Sequence, residues 1–141
     1  MKYRPHGEFS ISTDGRILRA EFSGSMNLEG VEAYSDELQR CVSSLAGGQW
    51  GLLAVFREGG MLIGAARERM KSSVRQQQAA GRCAVAAVYL ESEGAKSFFV
   101  DRLQRWYEEV GECFAVFDDE LEARQWLLER IAEANQQQNY D

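Results

Sequence analysis

The chain has 141 residues, 45% of them hydrophobic and 27% charged, the size and balance of one soluble domain that buries a core without disulfide or metal support. Sixteen Lys and Arg against 22 Asp and Glu set a formal net charge of −6 and a pI of about 4.9. That is the wrong sign for a nucleic-acid binder, which carries a basic excess to meet phosphates. One proline and 13 glycines also exclude a proline-rich linker or a low-complexity segment.

In chain order, Glu8 to Ser12 alternates Phe9 and Ile11 with Ser10 and Ser12, the period of a half-buried strand. Asp14-Gly15 supplies a tight turn, and Ile17 to Phe22 returns with Leu18, Ala20 and Phe22 on one side, so the chain opens on an antiparallel hairpin. Asn27 is placed to cap a helix whose apolar positions are Leu28, Val31, Tyr34, Leu38, Cys41, Val42 and Leu45, ended by Gly47-Gly48. The run Trp50 to Phe56 is continuously apolar, which predicts a central strand covered on both faces. A second helix follows Glu58-Gly59-Gly60 with a thin stripe of Ile63, Ala66, Met70 and Val74, closed by Gly81.

Cys83 to Leu90 reads as another buried strand, rich in small residues. A third helix spans about Ala95 to Val110, stopped by Gly111. Cys113 to Phe117 is the last strand. Asp119 with Glu122 then forms a capping box for a final helix presenting Leu121, Trp126, Leu127, Leu128 and Ile131. The order β-β-α-β-α-β-α-β-α implies an α/β fold: one domain over residues 1–141, with its core in about 8–134 and a mixed, mostly parallel five-stranded sheet with four main helices.

No apolar core of about 7–15 residues follows Met1, as an export signal would require, and the longest apolar run falls far short of the roughly 20 residues that span a bilayer. A cytoplasmic location is expected. Cys41, Cys83 and Cys113 are odd in number and widely spaced within apolar patterns, so they are expected as buried reduced thiols, with a redox or catalytic thiol as the alternative.

Catalytic constellations are missing. His6 is the only histidine, which excludes a histidine-based triad or a multi-histidine metal site, and the chain contains no CxxC, GxSxG, Walker A or EF-hand pattern. Neither a cofactor nor a metal is expected, and Asp118 and Asp119 are explained by helix capping.

Three features can hold a ligand or a surface, and each has a plainer reading. The segment Glu58 to Gly64 lies where a central strand hands over to a helix, the position at which open α/β sheets bind ligands. It reads as an anion site near Arg57, as an ordinary glycine turn, or as an apolar rim of Met61, Leu62 and Ile63 for a pocket or a membrane. Between Arg67 and Arg82, five basic residues (Arg67, Arg69, Lys71, Arg75 and Arg82) face the single acid Glu68, a local +4 that leaves −10 for the rest of the chain. Arg67, Arg69, Lys71 and Arg75 therefore form a candidate contact for an anionic membrane or acidic protein surface, or an ordinary solvated face. Phe98, Phe99, Trp106 and Tyr107 crowd the third helix, and they serve core packing or line a cavity for a nonpolar ligand.

The element order, the passage Phe22-Ser23-Gly24-Ser25-Met26-Asn27 into the first helix, and the ending Phe117-Asp118-Asp119-Glu120-Leu121-Glu122-Ala123-Arg124-Gln125-Trp126-Leu127 resemble bacterial SpoIIAA-like proteins of the STAS group. The likeness runs from Glu8 to Ala134 and rests on apolar patterns rather than catalytic signatures. It implies a superhelix of four βα turns without enzymatic activity. It also implies either a regulatory module that binds protein partners, as in anti-sigma-factor antagonists, or a carrier of nonpolar ligands similar to CRAL-TRIO proteins. The first is switched by a serine in a turn that here reads Glu58 to Gly64 and has no serine or threonine; Ser72 and Ser73 lie too far along to replace it. The second is the favoured expectation. A nonpolar or lipid-like ligand would sit between the second and third helices against Met61, Leu62, Ile63, Met70, Phe98, Phe99 and Trp106, and the domain would visit the inner membrane face peripherally.

Overall fold

The computed structural model describes residues 8–45, 47–58, 65–90 and 93–140. The elements are β1 (Glu8–Asp14), β2 (Ile17–Ser23), α1 (Leu28–Ser43), β3 (Trp50–Glu58), α2 (Ala66–Ala79), β4 (Arg82–Tyr89), α3 (Glu93–Glu109), β5 (Phe114–Phe117) and α4 (Glu120–Tyr140). The five strands lie in chain order in one sheet; β1 and β2 are antiparallel and the other neighbours parallel. This is the expected mixed sheet, with β3 at its centre.

Alternation along the inner strands builds two cores. Leu18, Ala20 and Phe22 of β2, Leu52, Ala54 and Phe56 of β3, and Val85, Ala87 and Tyr89 of β4 share one face, together with residues of α1, α2 and α3. The opposite face carries Ile17, Leu53, Val55, Ala84, Ala86 and Val88, which pack against Ala123, Leu127 and Ile131 of α4. Both periods are thus satisfied at once, two along the strands and close to four along α4.

Local signals act as their chemistry dictates. The Asn27 side chain accepts from the Gly30 N–H at 2.9 Å and starts α1; the Asp119 carboxylate accepts from the Glu122 N–H at 2.8 Å and starts α4. Gly81 has φ +106°, and a Cβ there would stand 2.5 Å from the Gly48 carbonyl oxygen, so only glycine fits where α2 turns into β4. Beside it the fully buried Trp50 donates its indole N–H to the Ala80 carbonyl at 3.1 Å. Arg16, in the hairpin turn, donates to the carbonyls of Gln49, Leu45 and Gly47 at 2.9, 2.7 and 2.6 Å and clamps the connection between α1 and β3.

Some expectations need correcting. Leu121 and Leu128 are exposed: the buried stripe of α4 is Ala123, Leu127 and Ile131, and Trp126 is half-buried against Phe117. The cysteines are free but not buried, Cys41 and Cys83 being half-buried and Cys113 exposed. Helix α2 begins at Ala66, and Ile63 lies outside the described residues, as does His6. Helix α3 begins at Glu93, two residues before the expected start.

Candidate functional site

Strand register creates the site. Pairing aligns Phe22 with Phe56 and Phe56 with Tyr89, then Ala20 with Ala54 and Ala87, then Leu18 with Leu52 and Val85. A row of three alanines therefore runs across the sheet between two rows of large side chains. Of that row Ala54 lines the cavity on this face, while Ala20 and Ala87 are packed in the core.

A cavity of about 120 Å³ lies on this face. From the sheet, Phe22, Leu52, Ala54 and Phe56 line it; the passage after β2 adds Gly24 and Met26, and α1 adds Tyr34. Arg67, Met70 and Val74 come from α2, and Arg102, Leu103, Trp106 and Tyr107 from α3. Arg82, at the start of β4, completes the lining. Phe22 stacks on Phe56 with ring centroids 5.3 Å apart and meets Tyr34 edge-on at 5.1 Å; Tyr107 stacks on Phe114 at 4.2 Å.

The polar part of the lining is organised by a buried chain of hydrogen bonds. The Ser35 hydroxyl donates to Ser73 at 2.8 Å, and the Gln77 amide also donates to Ser73 at 2.8 Å. Arg82 donates to the Gln77 amide oxygen. Its Nε and Nη2 reach the two carboxylate oxygens of Glu112 at 3.1 and 3.0 Å, a bidentate pair whose side chains are 2% and 1% exposed. Gln78 donates to the same carboxylate at 2.7 Å. Burial pushes the Tyr34 phenol well above its ordinary range and the Tyr107 phenol up to about 12, while the nearby Arg82 charge pulls both the other way.

Of the residues read from the sequence as ligand contacts, the structure brings Met70 and Trp106 together across the cavity. Met61, Leu62 and Ile63 lie outside the described residues. Phe98 and Phe99 fall within α3, but their side chains are likewise outside them. The basic residues separate. Arg67 is exposed and lines the cavity, Arg75 is exposed, and Arg69 is half-buried, with Nη1 lacking a hydrogen-bond partner among the described residues.

Lys71 is bound to the Glu109 carboxylate at 2.7 Å and lies 5.7 Å over the Trp106 ring, tying α2 to α3. Its bond to Glu109 holds that carboxyl below the usual carboxylate range. Arg82 is not on the basic helix at all: it is a buried strand residue committed to Glu112. The local +4 is thus divided between a buried pair, a bridge between helices and a thinner exposed face.

Tyr107, read with its aromatic neighbours as core or cavity wall, lines the cavity, whereas sequence reasoning missed Tyr34, Arg82 and Arg102 as lining, along with Phe22, Leu52, Ala54 and Phe56. The signal that could have found them is parity: once β2 and β3 are aligned in parallel, Ala20 and Ala54 fall side by side below aromatic neighbours. For the thiols, desolvation pushes Cys83 and Cys113 up, away from reactive thiolates.

No protein-family model matches the chain, and no curated protein sequence does. Among solved structures, the crystal structure of an uncharacterised protein of the DUF3478 family with a SpoIIAA-like fold, from Shewanella loihica, is similar to it. The similarity covers 90% of this chain and 98% of that one, with a TM-score of 0.57 and 15% sequence identity. An identity so low speaks to fold, and the strand order agrees with it: the hairpin, the three following parallel strands and the four helices constitute a SpoIIAA-like fold.

Proposed function

We propose that this chain is a non-enzymatic binding domain whose cavity, between the sheet and helices α1 to α3, holds a small nonpolar molecule. One observation carries the reading: a cavity of about 120 Å³ with Phe22, Leu52, Phe56, Met70, Leu103 and Trp106 in its walls. Ligand sites are concave and mostly apolar, with a few convergent polar groups. An engineered apolar cavity of roughly 150 Å³ accepts benzene, so this one takes a group the size of a single ring or a short branched chain. A long acyl chain would have to run out past the rim.

The raised thiol pKa values of Cys83 and Cys113 speak against the alternative of a thiol enzyme. A regulatory module switched by phosphorylation would need an acceptor in the turn Glu58 to Gly64, which has no serine or threonine; of the serines further along, Ser72 is exposed on α2 and Ser73 is 1% exposed and hydrogen-bonded on two sides. Membrane contact through α2 rests on the exposed Arg67 and Arg75.

Native mass spectrometry of the purified protein, followed by titration with small aromatic probes under NMR, tests the cavity. Chemical-shift changes centred on Leu52, Ala54, Met70 and Trp106 are expected, and shifts scattered over the surface would remove the reading. Co-sedimentation at low salt with anionic but not neutral vesicles would support the membrane part. Its absence would remove that part and leave the cavity untouched.

A further inference from the structure

Apart from Gly24, the lining residues that reach solvent all belong to α2 and α3: Arg67 and Arg102 are exposed, and Met70, Leu103 and Trp106 are half-buried. The walls supplied by the sheet and α1, among them Phe22, Tyr34, Ala54 and Phe56, are buried. Among the described residues, the cavity thus opens between α2 and α3.

Two ties among the described residues cross that gap, and they differ in burial. At its inner end, Gln78 of α2 and Arg82 of β4 both bond Glu112, just past α3, and the side chains of Arg82 and Glu112 are 2% and 1% exposed. Nearer the mouth, Lys71 follows Met70 on α2 and bonds Glu109 on α3 at 2.7 Å, with its ammonium 5.7 Å from the centre of the Trp106 ring. These two side chains, Lys71 and Glu109, are 24% and 59% exposed, so water and salt compete for the pair. The α2 helix is itself fixed, because Ser73 bonds Ser35 of α1 and Gln77 bonds Arg82 of β4. Movement that widens the mouth therefore falls to α3. Its C-terminal end stays pinned by the stacking of Tyr107 on Phe114 and by the Glu112 N–H, which donates to the Tyr107 carbonyl at 2.9 Å.

We infer that Lys71 is the latch of the cavity: bound to Glu109 and seated over Trp106, it holds the two lips of the mouth together, and its release lets a guest pass between α2 and α3. This rests on the nonpolar-ligand reading and adds the guest's route of entry. The buried tie at Glu112 is the pivot, and the exposed tie at Lys71 is the part that opens, since local opening draws on the weakest, most solvated contacts. Such a latch governs rates more than affinity, because the tie is remade once the guest is inside.

The test follows fluorobenzene entering and leaving the intact chain and a Lys71→Met variant by fluorine NMR exchange measurements. Methionine keeps the apolar stem of the lysine and removes its charge. Association and dissociation should both become roughly three- to tenfold faster, the range of an exposed ion pair together with a cation–π contact, while affinity changes by less than about twofold. Glu109→Gln, which leaves the cation over Trp106, should give part of that acceleration. Raising the ionic strength should speed exchange in the intact chain and leave Lys71→Met unaffected.

Exchange rates indifferent to Lys71 and to salt, with binding intact, would overturn the inference and leave the nonpolar-ligand reading standing. Faster dissociation alone, with affinity lost in proportion, would also overturn it, making Lys71 a wall that holds the guest. If fluorobenzene binds neither chain, the nonpolar-ligand reading fails and the latch with it.

Discussion

The two faces of one sheet are finished in different ways. Against α4 the packing is closed: Leu127 is fully buried, and a Cβ on Gly51 would meet the Leu127 Cδ2 at 2.9 Å, so helix and strand touch through the absence of a side chain. Against α1 to α3, Ala54 lies among the walls of a cavity that arginines and tyrosines help to line. Hydrophobic packing secures the first face, whereas a directional chain from Ser35 to Glu112 secures much of the second. One sheet can therefore be closed completely on one side and leave room on the other.

Substitutions can break or sharpen that contrast. The largest effect is expected from Glu112→Ala, which leaves the buried Arg82 charge without its partner and should cost about 3–5 kcal/mol in urea denaturation. A loss below 1 kcal/mol would mean that the polar chain is not what holds the cavity side. Next comes Leu127→Ala on the closed face, at about 2–5 kcal/mol.

The sharpest comparison lies within β3 itself. Gly51→Ala adds one carbon to the closed face and should cost about 1–3 kcal/mol, while Ala54→Val adds two carbons to the cavity face and should cost less than about 1 kcal/mol, because the space is there. Equal thermal shifts for these two would erase the distinction. Ala54→Val should also weaken the binding of small aromatic probes to the cavity.

The smallest effect belongs to the surface network beside α4, where Arg19 bonds the Glu120 carboxylate at 2.6 Å and Glu21 bonds Arg57 and Arg19 at 2.9 Å each. Those bonds hold both carboxyls below their usual value of 4.5. Their folded-state pKa values are depressed, so the contribution is present above pH 4.5 and is lost as pH falls through the lowered values. Glu120→Gln should make the acid limb of a stability-pH profile slightly shallower and leave the neutral region within about 0.5 kcal/mol.

Much of the fold was legible because its signals are local. Asn27 and Asp119 cap helices through bonds to residues three positions on, and alternation along β1 and β2 states which side chains face inward. The site was less legible because its determinants are relations between distant segments. Ala54 is unremarkable in sequence and becomes part of a cavity wall only once α2 and α3 are brought over the sheet. Arg82 looks like one more cation of a basic stretch until a carboxylate 30 positions later meets it. Leu121 and Leu128 read as core because they are leucines; the face of α4 that reaches β3 is chosen instead by where Gly51 leaves room.

The Ser35 to Glu112 chain also bears on selectivity. Apolar surfaces can slide over one another by an ångström at little cost, but a hydrogen bond tolerates no such slippage. Three of its links start from α2, tying that helix to α1, to Arg82 of β4 and to Glu112 between α3 and β5. The bore of the cavity is thereby gauged rather than elastic. In the proposed binding role a guest would meet a wall held at fixed spacing on the α2 side, with Met26 and Met70 as the adaptable part of the lining.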